Sequence, residues 1–365
     1  MPLSHYWATG LAGLTFLATT ACYPLRSGSP FATAIPRPEE PGQLTAASLG
    51  VIVNRRDRLS GQIAEYYQRR RNIPPENLIW VEFDPDHTTL SVEAFTAIYA
   101  AVQAQTPDRV QAYALTWAQP YRVGCMSITT AFALGFNEAF CAQGCEATAV
   151  NPYFNRDRIE PADRPQFYPT MVLAATGLDN AKALIDRGIA ADGTHPTGTA
   201  YLMNTSDPAR NVRSPFYPAI QTQLGPQFEI QVIDNDQLIG RRDVMFYFTG
   251  LAQVPTLDAN QYRPGAVADH LTSLGGQLTD SPQMSSLRWL EAGATGSYGT
   301  VVEPCNFPQK FPHPGVLMAH YQSGDTLIEA YWKSVLMPGQ GIFIGEPLAQ
   351  PFAPRSERAN GATAL

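Results

Sequence analysis

Short apolar runs alternate with amphipathic stretches along most of this chain, and their spacing switches between the period of a strand and that of a helix. Residues 49–54, LGVIVN, read as a buried strand. From Ser60, SGQIAEYYQRRR sets Ile63, Tyr66 and Tyr67 on one helical face, and Pro74-Pro75 stops that helix. LIWVEF (78–83) predicts the next strand, Ser91 caps a helix over VEAFTAIYAAVQAQ, and VQAYALTW (110–117) predicts a third strand. Strand and helix in strict alternation predict parallel strands joined by right-handed crossovers.

Residues 118–168 interrupt the pattern. They hold three cysteines, one amphipathic stretch (MSITTAFALGF) and a polar, aromatic loop (NPYFNRDRIEPADRPQFYP), and read as an insertion pinned by at least one disulfide. Alternation then resumes with TMVLAATG, LDNAKALIDRGIAAD, TAYLMNTSD, FYPAIQTQLG, EIQVID and VMFYFTG. The last third adds GAVADHLTSL, the helix SSLRWLEAG, the strand GTVVEP, a helical pair within VLMAHYQSGDTLIEAYWKSV, and the strand GIFIGEPL.

The expected fold is α/β: a three-layer α/β/α sandwich with a mostly parallel sheet and two half-domains. The expected division is 1–21 leader, 22–45 linker, 46–117 N-terminal half, 118–168 insertion, 169–352 C-terminal half and 353–365 tail. Ligands of such folds sit outside the carboxyl ends of the strands. Asn54, Trp117, Asp207, Asp234, Thr249, Ser273 and Glu303 fall at predicted strand ends, so a pocket there is the first place to look. Loops are polar in any case, and that alone accounts for at least half of these residues.

Charge and composition narrow the function. A net charge of −7 argues against a nucleic-acid partner, which calls for a basic face. Arg69, Arg70 and Arg71 read as the last turn of a helix, where cations meet the negative end of the dipole. The apolar or small run over residues 6–21 has the length of a signal-peptide core and ends at Cys22, in the manner of a bacterial lipoprotein site. Ordinary signal cleavage is the alternative, since Thr19 stands where a large aliphatic is usual and residues 1–5 carry no Lys or Arg. Export to the periplasm, or anchoring in the envelope through a lipid on Cys22, is therefore expected. In an oxidising compartment Cys125, Cys141, Cys145 and Cys305 are disulfide candidates, with three possible pairings. No His lies near Cys141 and Cys145 in sequence to complete a zinc site, and neither a metal nor a cofactor is expected.

Four groups of residues carry possible chemistry. Gly293, Gly296 and Gly299 lie between a predicted helix and a strand, the reverse of the order that cradles a phosphate on a helix N-terminus; close packing at the junction explains them. Asp269-His270-x-x-Ser273 is the nearest approach to a nucleophile with its base. On a strand, which the flanks favour, His270 and Ser273 face opposite sides; on a helix they share a face. Cys305 needs a cationic neighbour to ionise near neutrality, and a disulfide is the more economical use of it. Glu303, closing an apolar strand, suits a ligand or an ion pair, and Asp207, Asp234, Asp236 and Glu303 are the carboxylates that could converge for glycoside cleavage.

VIVNRRDRLSGQIAEYYQRRRNIPPENLI resembles the N-terminal signature of a bacterial family of unknown function, from species carrying the exosortase protein-sorting and exopolysaccharide system. The matching residues are Asn54, Ser60, Tyr66, Tyr67, Arg71, Ile73 and Pro74. PGAVADHLTSLGG, AGATGSYGTVVEPCNFPQKFP, GDTLIEAYWKS and IFIGEPLAQPF resemble its C-terminal half, with Glu346 where Asp is more usual. The resemblance spans roughly residues 49–352 and implies a context, not a mechanism. A more distant similarity is to gingipain- and caspase-type cysteine peptidases, which end one strand on His-Gly and a following one on the nucleophilic Cys. The matching places here carry Thr249-Gly250 and Ser273, implying a caspase-like fold without the dyad. The expected function is an envelope-attached accessory or binding protein of surface-protein sorting or polysaccharide export, with an envelope protein or polysaccharide as partner. The alternative is an exported hydrolase using Ser273 or Cys305 with His270, or strand-end carboxylates.

Overall fold

This computed structural model describes residues 44–142, 144–157 and 167–354. The expected leader, Cys22, nearly all of the linker and the tail from residue 355 lie outside those residues, as does 158–166 of the insertion. The first strand, β1 (Leu49–Asn54), is buried at all six positions. Helix α1 (Arg58–Arg71) opens on Asp57, whose carboxylate accepts the Leu59 N–H at 2.8 Å. It closes on Asn72 in the left-handed conformation, a common helix stop. Strands β2 (Leu78–Val81) and β3 (Thr89–Leu90) follow, then α2 (Val92–Gln105), capped by Ser91 as the sequence predicts. Strand β4 (Ala112–Leu115) completes the opening alternation; β2 and β4 are each shorter than the apolar runs that announce them.

Within the predicted insertion, β5 (Arg122–Val123) and β6 (Met126–Ser127) join β3 in a small sheet, and α3 (Ile128–Leu134) fills the amphipathic stretch. The later elements are β7 (Thr170–Val172), α4 (Leu178–Ala191), β8 (Thr199–Asn204), α5 (Tyr217–Leu224), β9 (Glu229–Asp234), β10 (Val244–Thr249) and β11 (Tyr262–His270). Then come α6 (Leu287–Ala292), β12 (Gly296–Thr300), α7 (Pro314–Gln322), α8 (Leu327–Ser334) and β13 (Gly341–Gly345).

The ten main strands form one sheet in the order β2-β1-β4-β7-β13-β12-β11-β10-β8-β9. Only β12 and β13 pair antiparallel; every other neighbouring pair is parallel. Helices α1, α4 and α6 pack in succession, as do α5, α7 and α8, so the molecule is a three-layer α/β/α sandwich with a mostly parallel sheet. Chain order and sheet order diverge at the centre. Strand β13, last in sequence, lies between β7 and β12, and β7 pairs with β4 across the intervening insertion. No helix among the described residues is long and apolar enough to cross a membrane.

Two features of the motif-bearing segments are packing devices. Gly293 ends α6 with φ of 119°, a conformation that L side chains rarely adopt, and a Cβ on Gly296 would lie 2.8 Å from Leu327 Cδ2. The glycine-rich stretch is thus a helix-to-strand junction, as its order of elements predicts. The other device joins the two ends of the described chain. Tyr67 donates its hydroxyl to Glu346 Oε1 at 2.6 Å, and Arg71 binds both Glu346 oxygens and Asp192. Glu346 is wholly buried, and these donors satisfy its carboxylate oxygens.

Candidate functional site

The carboxyl ends of β10 and β11 bring together the residues for which the sequence offers the most chemistry. VMFYFT is aromatic and β-branched enough to be buried at all six positions, and its register with β11 sets Phe248 beside Asp269 and Thr249 beside His270. Side chains alternate along a strand, so Asp269 and His270 leave the sheet on opposite faces.

His270 is buried and occupied at both ring nitrogens. Trp289 Nε1 lies 2.9 Å from Nδ1, and Nε2 lies 3.0 Å from the Met284 carbonyl. An indole N–H can only donate, so Nδ1 accepts and Nε2 carries the proton. Burial, with Arg213 and Arg210 acting in the same sense, pulls the imidazole pKa down to about 4 despite the Met284 bond. His270 is therefore neutral at pH 7.

Ser273 lies past the end of β11, in the turn after Thr272, half-buried. Its carbonyl accepts from Thr300 Oγ1 at 2.8 Å, and Gln283 Oε1 takes the Leu274 N–H at 2.8 Å and the Thr272 hydroxyl at 2.9 Å. These bonds hold the turn's backbone. Because both nitrogens of His270 are taken, the Ser273–His270 pair of the alternative hydrolase reading does not form.

On the other face Asp269 meets Arg213 Nη1 at 2.6 Å, with both side chains at least 98% buried. Arg213 Nη2 also donates to the Thr249 carbonyl at 2.7 Å, and its guanidinium lies 5.4 Å from the Phe248 ring centre. Burial raises the Asp269 carboxyl above its usual range, and Arg213 opposes the rise. Burial first, then Arg213, holds His313 down to about 4. No sequence pattern marks Arg213: it lies in the segment NVRSPF, and only the folded chain brings it to Asp269 at the end of β11.

Cys305 forms a disulfide with Cys145, and Cys125 with Cys141. With its sulfur in a bridge, Cys305 offers no thiolate, which corrects its candidacy as a nucleophile. Glu303, exposed beside it, accepts the Cys305 N–H at 2.8 Å and shapes the turn, with Cys305 at φ of 56°. Two disulfides mark a chain that folds in an oxidising, exported environment.

The remaining strand-end residues are spread along the sheet, with Asp207 nearest the β11 end through Arg210, whose Nε donates to Thr272 Oγ1 at 3.1 Å. Five strands separate β1 from β10, about 29 Å at the usual ~4.8 Å spacing, so Asn54 is remote from Thr249. Asn54 serves its own strand end: its side chain bonds Phe83 N–H and C=O and the Arg56 N–H, while its N–H donates to Ser60 Oγ at 2.9 Å. Trp117 is buried, its Nε1 donating to the Pro120 carbonyl. Asp207 closes a turn with Arg210, and Asp234 accepts from Asn204 at 2.6 Å. Asp236 binds the Ser206 hydroxyl and N–H. Strands β9 and β12 lie four spacings apart, about 19 Å, beyond the ~5–9.5 Å that paired glycosidase carboxylates need, so Asp234 and Glu303 do not converge. Among the described residues, no group of three His, Cys, Asp or Glu is arranged to hold a metal ion.

A concavity does exist elsewhere, where Ala174 and Ala175 follow β7 and meet Asn180 and Arg187 of α4 and Leu287 and Leu290 of α6. Arg187 Nε and Nη2 donate to the carbonyls of Ala294 and Leu290 at 3.0 and 2.6 Å, at the C-terminal end of α6. Burial lowers its pKa to about 10. Nothing in the sequence pattern announces this site, because its three segments are joined only by the packing of α4 on α6.

One solved structure, titled "Structure of Protease", is similar to this chain at a TM-score of 0.41 and 10% identity, covering 84% of this chain and 79% of that one. No protein-family model matches the sequence, and no curated protein is similar to it.

Proposed function

We propose that this protein is an exported binding or accessory protein without peptidase activity, built on a caspase-like sandwich. The observation that carries the reading is the state of His270: buried, neutral, and bonded at both nitrogens to Trp289 and Met284. A general base must have a nitrogen free to accept the nucleophile's proton, and His270 has none. Thr249 and Ser273 stand where the resembled peptidases carry His and Cys, and the sulfur of Cys305 is in a disulfide. The resemblance to the exosortase-associated family sets the proposed context, surface-protein sorting or polysaccharide export, with Cys22 as the proposed lipid anchor and an envelope protein or polysaccharide as partner.

The test is activity-based labelling of the full chain after periplasmic expression, using a fluorophosphonate probe for serine and a chloromethyl ketone for cysteine. The expected result is no covalent adduct with either. Fluorophosphonate labelling that disappears in Ser273→Ala overturns the reading and makes the protein a serine hydrolase.

A further inference from the structure

The two edges of the ten-stranded sheet are treated differently. At one edge, Gln105 reaches across from the end of α2 and closes β2: its Oε1 accepts the Trp80 N–H at 3.2 Å and its Nε2 donates to the Trp80 carbonyl at 3.0 Å. One side-chain amide thereby imitates a neighbouring strand. At the other edge, β9 pairs with β8 over six consecutive residues without a register shift, and it contains no proline, lysine or arginine. These are the devices that usually blunt an exposed edge. Among the described residues, two bonds reach β9 backbone groups from outside β8: Gln221 Nε2 to the Ile230 carbonyl, and the Asn235 N–H to the Ile233 carbonyl.

The surface around this edge has a defined chemistry. Val232, on the strand, is 37% exposed and Ile239, just after it, 58% exposed, which is high for large apolar side chains. From residue 217 to residue 240 the chain carries Glu229, Asp234 and Asp236 and no lysine or arginine. The next arginine, Arg241, lies 5.4 Å from the Tyr201 ring centre. The edge strand and the turn after it thus combine a continuous backbone ladder, exposed apolar side chains and three carboxylates with no lysine or arginine among them, Arg241 and Arg242 following at the start of the next segment.

We infer that β9 is a docking edge for an extended, lysine- or arginine-bearing segment of a partner polypeptide, which adds as an eleventh strand beside Val232. Main-chain bonds supply affinity in this mode, and alternate side chains supply selectivity. Side chains alternate along β9, so the basic residues of the segment meet Glu229 on one face of the sheet and its apolar residues meet Val232 on the other. The chain's own linker is a poor occupant: residues 23–43 contain five prolines, which lack the N–H an added strand must donate. This inference stands apart from the non-catalytic reading, since a hydrolase could also recruit partners at this edge.

The test is fluorescence anisotropy of the full chain with a labelled, end-blocked Lys-Val-Lys-Val-Lys-Val peptide. Three comparisons decide it: the Glu-Val counterpart, the same peptide with alternate backbone nitrogens methylated, and the protein variant Val232→Lys. The Lys-Val peptide is expected to saturate, and each change to weaken it by about tenfold or more, the loss of one or two main-chain or charged contacts. Amide exchange at residues 229–234 is expected to slow on binding. Val232 is exposed, so its replacement should leave the melting temperature nearly unchanged and keep the comparison clean. No saturation, equal binding of the Glu-Val or methylated peptide, or no effect of Val232→Lys overturns the inference. So does a concentration-dependent dimer that Val232→Lys dissolves, which would assign the edge to a second copy.

Discussion

Gly188, inside α4, faces Glu346 so closely that a Cβ there would lie 2.6 Å from Oε2 and 2.7 Å from Cγ. Glycine within a helix ordinarily costs about 0.5–1 kcal/mol relative to alanine. Here the sign is expected to reverse, because the carboxylate is held in place by Tyr67 and Arg71. Gly188→Ala should lower stability by about 1–3 kcal/mol, the range of an overpacked site. A urea midpoint equal to or above that of the wild type would show that Glu346 is free to move aside.

The Arg213–Asp269 pair gives a second prediction. Both side chains are buried, so removing one leaves the other charged without a partner or forces it to neutralise. Arg213→Met is expected to destabilise by about 3–5 kcal/mol, and Arg213→Met combined with Asp269→Leu by distinctly less. Thermal melts of the single and double variants check this; equal losses would mean that packing, not charge, sets the cost.

Acid sensitivity follows from His270 and His313. Each titrates near 6.5 when unfolded and is held down to about 4 in the fold, chiefly by burial. Between those values the unfolded chain binds more protons than the native one, so stability is full above pH 6.5 and is lost as pH falls toward 4. Asp269 and Glu329, both raised by burial, act in the opposite sense, which makes the wild-type profile alone ambiguous. The diagnostic comparison is urea unfolding of wild type and His270→Gln at pH 7.5, 5.5 and 4.5. A shallower decline in the variant is expected; parallel profiles would show that His270 is not held neutral.

The cysteines allow a direct chemical check. Non-reducing peptide mapping after periplasmic expression, with thiols alkylated first, is expected to recover Cys125 linked to Cys141 and Cys145 linked to Cys305. The second bridge closes 160 residues, so removing it in a Cys145→Ser/Cys305→Ser variant should cost about 2–5 kcal/mol. Alkylated Cys305 in the wild type would return it to the list of reactive residues.

The alternation of apolar periods by itself determined the elements: β1, α1, β2, α2 and β4 at the start, α7, α8 and β13 at the end, and the helix-to-strand junction at Gly293. Periodicity reports which side of an element is buried, and that is enough to name strands and helices. It also carried the polar signature residues, although Asn54, Ser60, Tyr67 and Arg71 turn out to hold backbone and a buried carboxylate in place. Tertiary structure alone decided which strands are neighbours. Strand β13 enters the middle of the sheet, and β9 is left at an open edge while Gln105 closes the other. Side-chain pattern is the same for a strand at the centre and one displaced by several positions, so Arg213 and Asp269, or Tyr67 and Glu346, could not be paired from spacing. The same holds for the bridges: four cysteines fit three pairings, and only the folded path brings Cys305 to Cys145. The candidate dyad failed for a local reason of the same kind, since Trp289 reaches Nδ1 of His270 only after α6 has packed against β11.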